Sequence, residues 1–259
     1  MSVALKTDQR TAVSGASSNV RKPLPEIALV GTCALLYSLM CAIAPVTRVT
    51  AVRHARQILR LENYLGIDVE LALNTWLSHH PWLANVSAVF YSVSFFAVTF
   101  TALAIVWVKR PDRYDFIRNS LFVMTGGAMI TYWAYPLAPP RFFPSLGYVD
   151  AVATQSTLGS GYSTAFSHLA NSYAAMPSMH TGWAVWSAIV LGTFVFKSWR
   201  ARAILALHPL YTIWVILATA NHYVLDAVGG IVFCLLGFLL TNLIITRVSQ
   251  RQSLEARGV

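Results

Sequence analysis

Charge is scarce in this 259-residue chain: Asp, Glu, Lys and Arg together supply 11% of it. Soluble domains carry about 25%, and 56% of this chain is apolar, so its composition is that of a membrane protein. The net charge of +9 does not signal a nucleic-acid partner, because no basic patch is interleaved with aromatic residues. Cysteine is sparse too. Cys33, Cys41 and Cys234 fall inside apolar runs with no disulfide or metal spacing, and read as small buried hydrophobes. No carboxylate box is present either, so neither a metal nor another cofactor is expected. No secretory signal is evident. Residues 1–25 are polar, rich in Ser and Ala, and predicted to be disordered on the cytoplasmic side. No small-residue cleavage site clearly ends the first apolar run, which reads as a retained anchor.

Long apolar stretches dominate the rest. A bilayer-spanning helix needs about 20 apolar residues, and six stretches qualify or nearly do: 26–44, 83–108, 116–136, 180–197, 203–221 and 222–246. The expected fold is all-α, a polytopic six-helix membrane domain over 26–246 followed by a cytoplasmic tail, 247–259. The last two stretches adjoin, which places a tight turn near Ala220–Asn221. With six spans and cytoplasmic termini, fourteen of the nineteen basic residues lie inside, including every lysine: Lys6, Lys22, Lys109 and Lys197. Arg48, Arg53, Arg56, Arg60 and Arg141 remain outside, as the positive-inside rule requires.

Arg53, Arg56 and Arg60 recur at helical spacing, with Val52, Ile58 and Leu59 toward another face. The pattern predicts an amphipathic helix on the outer membrane surface, its arginines meeting lipid phosphates. The outer segment of about 137–178 is long, nearly uncharged and rich in Pro, Gly, Ser, Thr and Tyr, which favours a lid. Short loops and compact length favour a bacterial plasma membrane.

Three elements at this outer face carry chemistry. "PSMH" (177–180) opens the fourth span: Pro177 suits a helix start, Ser178 a cap, and His180 falls in the first turn, where free N–H groups and the helix dipole attract an anion. "HYVLD" (222–226) opens the sixth. His222 and Asp226, four apart, share a helix face; a carboxylate on one ring nitrogen fixes the tautomer and leaves the other nitrogen as nucleophile or base. "YPLAPPRFFP" (135–144) holds Arg141 in a proline-stiffened turn, suited to gripping a phosphate through paired hydrogen bonds. Each admits a plainer reading alone. His180 fits a polar tip at the headgroup level, the His–Asp pair a structural contact or half a metal site, and Arg141 a lipid anchor. Their convergence on one face favours a phosphate-handling site. Tyr173 and His168 in the lid, and Asn221 and Tyr223 beside His222, are candidate substrate contacts.

At these residues the chain resembles the type 2 phosphatidic acid phosphatase (PAP2) superfamily, and within it the inositol-phosphorylceramide synthase, or aureobasidin-resistance, branch. "PSMH" resembles the second superfamily motif, "HYVLD" the third, and "APPRFFP" (138–144) the branch's form of the first. Glu62, Leu65, Gly66, Ile67 and Glu70, in an E-x-x-LGI-x-x-E pattern, also resemble that branch. The resemblance implies a six-helix fold and metal-independent phosphoryl transfer between membrane lipids as donor and acceptor. His222 would attack phosphorus to form a phosphohistidine, oriented by Asp226. His180 would protonate the leaving oxygen and then deprotonate the acceptor. Arg141, with N–H groups near Ser178, would hold the phosphoryl oxygens.

The chain also departs from the superfamily. Ala134 stands where the first motif has a lysine, and Ile216 where the third has an arginine, so Arg141 is the one basic motif residue left of three. A phosphodiester carries one charge and a phosphomonoester up to two, so fewer cations fit a diester donor. Arg53, Arg56, Arg60 or His168 would be alternative sources of charge. The competing expectations are a lipid phosphotransferase, a lipid phosphate phosphatase acting on phosphatidic acid or an isoprenoid phosphate, and a non-catalytic lipid-binding or transport protein. A vanadium haloperoxidase shares the phosphate site, but membrane embedding and the missing cations argue against it. Gly229, Gly230 and Gly237 suit close helix packing, within one chain or between chains. The sequence does not fix the oligomeric state.

Overall fold

A computed structural model describes residues 22–44, 47–151 and 172–255. Among them the regular elements are helical, so the all-α expectation holds, with a lone parallel bridge between Leu137 and Ala174. The helices are α1 (Pro23–Ala42), α2 (Arg48–Leu65), α3 (Glu70–Ser78), α4 (Pro81–Lys109), α5 (Tyr114–Ala134), α6 (Met179–Val190), α7 (Trp199–Ala218) and α8 (Val224–Glu255). Four of them, α1, α4, α7 and α8, are long and apolar enough to cross a membrane. The third and fourth expected spans fall on α5 and α6. Helix α6 is short but continues as a π-helical turn through Leu191–Val195. Helix α8 extends to Glu255, so the expected tail begins as helix; "RVSQRQSLE" holds no Gly or Pro to stop it.

Local chemistry sets the boundaries. Proline opens α1 and α4, where its missing N–H costs nothing. Thr47, Ser178 and Ser198 cap α2, α6 and α7 by accepting backbone N–H groups at 3.3, 3.4 and 3.2 Å. Gly66 closes α2 with φ 67°, and the Gly66 and Ile67 N–H groups return to the Asn63 and Glu62 carbonyls.

Helix α6 is the axis of the bundle, packed between α4, α5, α7 and α8. Its indoles need partners in an apolar interior and find them on α5: Trp183 donates to Thr125 at 3.0 Å and Trp186 to Ser120 at 2.9 Å. Gly230 of α8 lies against the start of α6, where a Cβ would overlap the Ser178 carbonyl; Gly237 lies so close to α5 that a Cβ would sit 2.6 Å from the Ser120 carbonyl. The glycines therefore serve packing inside one chain. Helix α1 leans on α5, tied by Glu26 to Arg118 at 2.8 Å and by the Trp133 indole to the Met40 carbonyl at 3.0 Å.

The expected amphipathic helix is α2. Its inward stripe, Ala51, Ala55, Ile58 and Glu62, is buried, while Arg53, Arg56 and Arg60 are exposed. The stripe packs on protein, Leu137, Ala138, Phe143 and Tyr223 among others. Helix α3 is an element the sequence reading passed over. Its signal was Leu73 and Leu77 at helical spacing.

Candidate active site

The starts of α6 and α8, the α7–α8 turn and the segment 137–151 meet at one end of the bundle. The turn is as tight as expected. Ala220 adopts φ 55°, in the left-handed region an L-residue seldom occupies, and the Ile216 carbonyl accepts the N–H groups of both Asn221 (3.0 Å) and His222 (3.1 Å). Arg141 docks on this turn twice. Its N–H donates to the Ala220 carbonyl at 2.9 Å, and its guanidinium donates to the Asn221 side-chain oxygen. Asp150 lies 3.5 Å from Arg141 Nε. The Tyr223 hydroxyl, fully buried, donates to the Ala138 carbonyl at 3.0 Å and fastens the same junction from behind.

The ring centroids of His180 and His222 are 5.7 Å apart. His222 Nδ1 lies 2.9 Å from the Ala175 carbonyl and 3.3 Å from Asp226 Oδ2. A carbonyl accepts only from a protonated nitrogen, so the proton sits on Nδ1 and Nε2 keeps its lone pair. Burial pushes the His222 imidazole down to about 3, with Arg141 nearby acting in the same direction, which keeps it neutral. Asp226 Oδ2 also accepts from the Tyr223 N–H at 2.9 Å, so this carboxylate shapes the turn as well as facing the ring.

The structure thus brings Arg141, His180, His222, Asp226 and Asn221 together. Ser178 is present but committed: it is fully buried, its hydroxyl accepts from Thr181 N, and its N–H donates to the Asp226 carbonyl at 2.9 Å. The first-turn N–H groups of Met179 and His180 have no acceptor among the described residues. Tyr173 packs edge-on against Phe142 behind Arg141. His168 lies outside the described residues, as does most of the expected lid. Ala134 is exposed at the end of α5 and Ile216 is buried. Among the described residues no group of three His, Cys, Asp or Glu is disposed to hold a metal ion.

Sequence reasoning missed four partners. Tyr91 of α4 stacks on His180 with centroids 4.1 Å apart, and Phe95 packs at 4.4 Å; aromatic residues in an apolar span look like lipid-facing ones. Asp150 and the Ala175 carbonyl come from the irregular segments, where no periodicity foretells contact. The sequence pattern that holds Glu62 and Glu70 gives them no role. Each accepts one N–H at the start of α8, Leu225 to Glu62 and Val224 to Glu70, both at 2.7 Å.

A family model described as the PAP2 superfamily matches residues 56–240. The chain is 25% identical over 232 residues to the inositol phosphorylceramide synthase catalytic subunit aur1 of Schizosaccharomyces pombe, covering 84% of this chain and 53% of that protein. It therefore spans about half the length of the curated relative it matches. No solved structure matches it.

Proposed function

The chain belongs to the PAP2 superfamily, and from that premise we propose that it is a membrane-embedded lipid phosphotransferase. It moves a phospho-headgroup from a phosphodiester lipid to an alcohol acceptor. The observation that carries this reading is the pairing of two imidazoles 5.7 Å apart with one guanidinium bonded to the turn that bears His222.

In the first half-reaction His222 Nε2 attacks phosphorus. The bond from phosphorus to the leaving lipid oxygen breaks, and His180 gives that oxygen a proton. In the second, His180 takes the proton of the acceptor hydroxyl, the acceptor oxygen attacks phosphorus, and the phosphorus–nitrogen bond breaks. Arg141 and the first-turn N–H groups of α6 hold the phosphoryl oxygens. Such positioning and charge stabilisation is most of what phosphoryl transfer requires. Tyr91 and Phe95 hold the His180 ring in place.

Two features favour a diester over a monoester. Among the described residues Arg141 is the cation at the site, and Asp150 already draws on its charge. A doubly charged phosphomonoester would be left under-neutralised there, whereas a singly charged diester would not. The lipid nature of the substrate is supported by an apolar cavity of about 390 Å³ one turn below His180, lined by Val30, Tyr37, Phe96, Phe100, Thr125 and Trp183.

Six helices, α1, α4, α5, α6, α7 and α8, cross the bilayer in this reading, with the site at the extracytoplasmic face. The run Met179–Val195, at about 1.5 Å per residue, reaches about 25 Å of a hydrocarbon core near 30 Å. The sidedness rests on Lys22, Lys109, Lys197 and most of the described arginines lying toward the opposite helix ends. The second reading, hydrolysis of lipid phosphates with water as acceptor, uses the same residues. Incubating the protein with lipids of several headgroups, with and without an alcohol acceptor, separates the two when both products are followed. Ready release of phosphate from phosphatidic acid, with phosphodiester lipids left intact, overturns the transferase reading.

A further inference from the structure

Glu62 and Glu70 are fully buried, although they lie on the peripheral helices α2 and α3. The left-handed turn at Gly66 folds the chain back between them, so residues eight apart converge on one spot, the start of α8. There Oε1 of Glu70 accepts the Val224 N–H and Oε1 of Glu62 accepts the Leu225 N–H, both at 2.7 Å. These N–H groups lie between His222 and Asp226 in sequence. A helix start offers several donors that its own ladder cannot use, and here two carboxyl groups from other helices take them.

The second oxygens have no such explanation. Oε2 of Glu62 and Oε2 of Glu70 are buried and find no donor among the described residues. No Lys or Arg pairs with either carboxyl among those residues. Because their Oε1 atoms accept from the consecutive N–H groups of Val224 and Leu225, the two carboxyl groups lie side by side, and each bears on the other's ionisation. Two adjacent buried carboxylates would repel; two neutral acids would give the Val224 and Leu225 N–H groups weaker, uncharged acceptors.

We propose that Glu62 and Glu70 share one proton between their Oε2 atoms, and that the resulting single negative charge, held across two helices, positions the His222–Asp226 turn for the transfer reaction. The pair are positioning residues: they touch the backbone of the turn and not the substrate. The shared proton gives each Oε2 a partner, and the remaining charge faces the start of α8.

The surroundings agree. Asp226 at the start of α8, Tyr223 in the preceding turn and Tyr148 of the connecting segment are the titratable groups facing the pair. Burial raises both tyrosines, which stay neutral. Burial, the partner carboxyl and Asp226 push Glu62 up to about 9, and burial raises Glu70 as well. The pair thus keeps its proton at neutral pH.

The inference rests on the proposed transferase reaction only for its kinetic readout; a spectroscopic arm stands without turnover. Infrared difference spectra of the full-length protein in detergent at neutral pH, wild type minus variant, report a protonated carboxyl group. A shared proton predicts that E62Q and E70Q each remove the same band, because the surviving carboxyl ionises beside the new amide. A band lost in one variant and kept in the other overturns the proposal. In activity, each single Gln variant keeps kcat within about threefold, since the amide N–H replaces the shared proton. The double variant, with no charge left, loses kcat about tenfold or more while KM stays within about twofold, as expected of positioning rather than binding. Wild-type kcat falls at alkaline pH as the shared proton leaves, and the single variants lose that limb. An alkaline limb that persists in both, or single variants as impaired as the double, overturns the proposal.

Discussion

His222 Nδ1 lies nearer to the Ala175 carbonyl, 2.9 Å, than to the Asp226 carboxylate, 3.3 Å. Two acceptors, one from the segment before α6 and one from α8, therefore hold one ring proton. The backbone carbonyl fixes the tautomer without any side chain, while in the proposed reaction Asp226 adds the charge that steadies a phosphorylated ring. The division of labour is testable.

Asp226→Asn keeps an acceptor for Tyr223 N and removes the charge. Where an aspartate alone sets a tautomer, its loss costs about 10⁴-fold in kcat. Here the Ala175 carbonyl still holds Nδ1–H, so kcat is expected to fall only about 10–100-fold. Steady-state kinetics on a phosphodiester lipid substrate checks this. A fall as deep as that of His222→Ala contradicts the role given to Ala175.

Arg141 is bonded to Asn221 and lies beside Asp150. Lysine carries the charge but not the planar fork. Arg141→Lys is expected to lower kcat/KM by about 10²-fold, the scale on which one transition-state donor acts, and to leave the melting temperature in detergent nearly unchanged. Wild-type kcat/KM in that variant removes Arg141 from the site.

Gly230 and Gly31 make a matched pair. A Cβ at Gly230 would overlap the Ser178 carbonyl and sit 3.0 Å from Gly182 N, while Gly31 has open space around it. Gly230→Ala is expected to destabilise by about 1–3 kcal/mol through overpacking and to lower activity, since it prises apart the helix starts that carry His180 and His222. Gly31→Ala shifts stability by at most about 1 kcal/mol. Thermal unfolding and turnover of both variants give the comparison.

The raised Glu62 carboxyl has a consequence for stability. Burial lifts it from an ordinary 4.5 to about 9, so between those values the folded protein holds a proton that the unfolded chain has lost. Stability is then greatest at the acid end of this window and falls as pH rises through it. Melting temperatures measured across the window should decline in the wild type and decline less steeply in Glu62→Gln, which has no proton to lose there. A slope unchanged by that substitution contradicts the shift.

Much of this was legible in the sequence because it follows from short-range rules. Pro177 and Ser178 mark a helix start, His222 and Asp226 share a face at four residues' spacing, and the adjoining apolar runs force the turn at Ala220. Long-range facts were not legible. Nothing local says that the arginine-bearing helix α2 buries Glu62 to reach Leu225, 163 residues away. Nor does an apolar span reveal that Tyr91 faces His180 instead of lipid. The glycines were read as packing sites with the partner left open, and only the overlap with Ser178 shows that the partner is in the same chain. The Ser178 cap on Thr181 N is local and legible, but the bond from Ser178 N–H to the Asp226 carbonyl exists only once α6 and α8 meet.

The central claim is that His222 is the nucleophile. Its most direct test is rapid acid-free quenching of the wild-type protein during turnover of phosphodiester lipids labelled at phosphorus, bearing choline, ethanolamine, glycerol or inositol headgroups, followed by mapping of the labelled peptide. The account predicts a phosphoramidate label, stable to base and labile to acid, on the peptide containing His222, and its absence in His222→Ala. Turnover of any of these lipids with no label on that peptide, or undiminished turnover by His222→Ala, would contradict it.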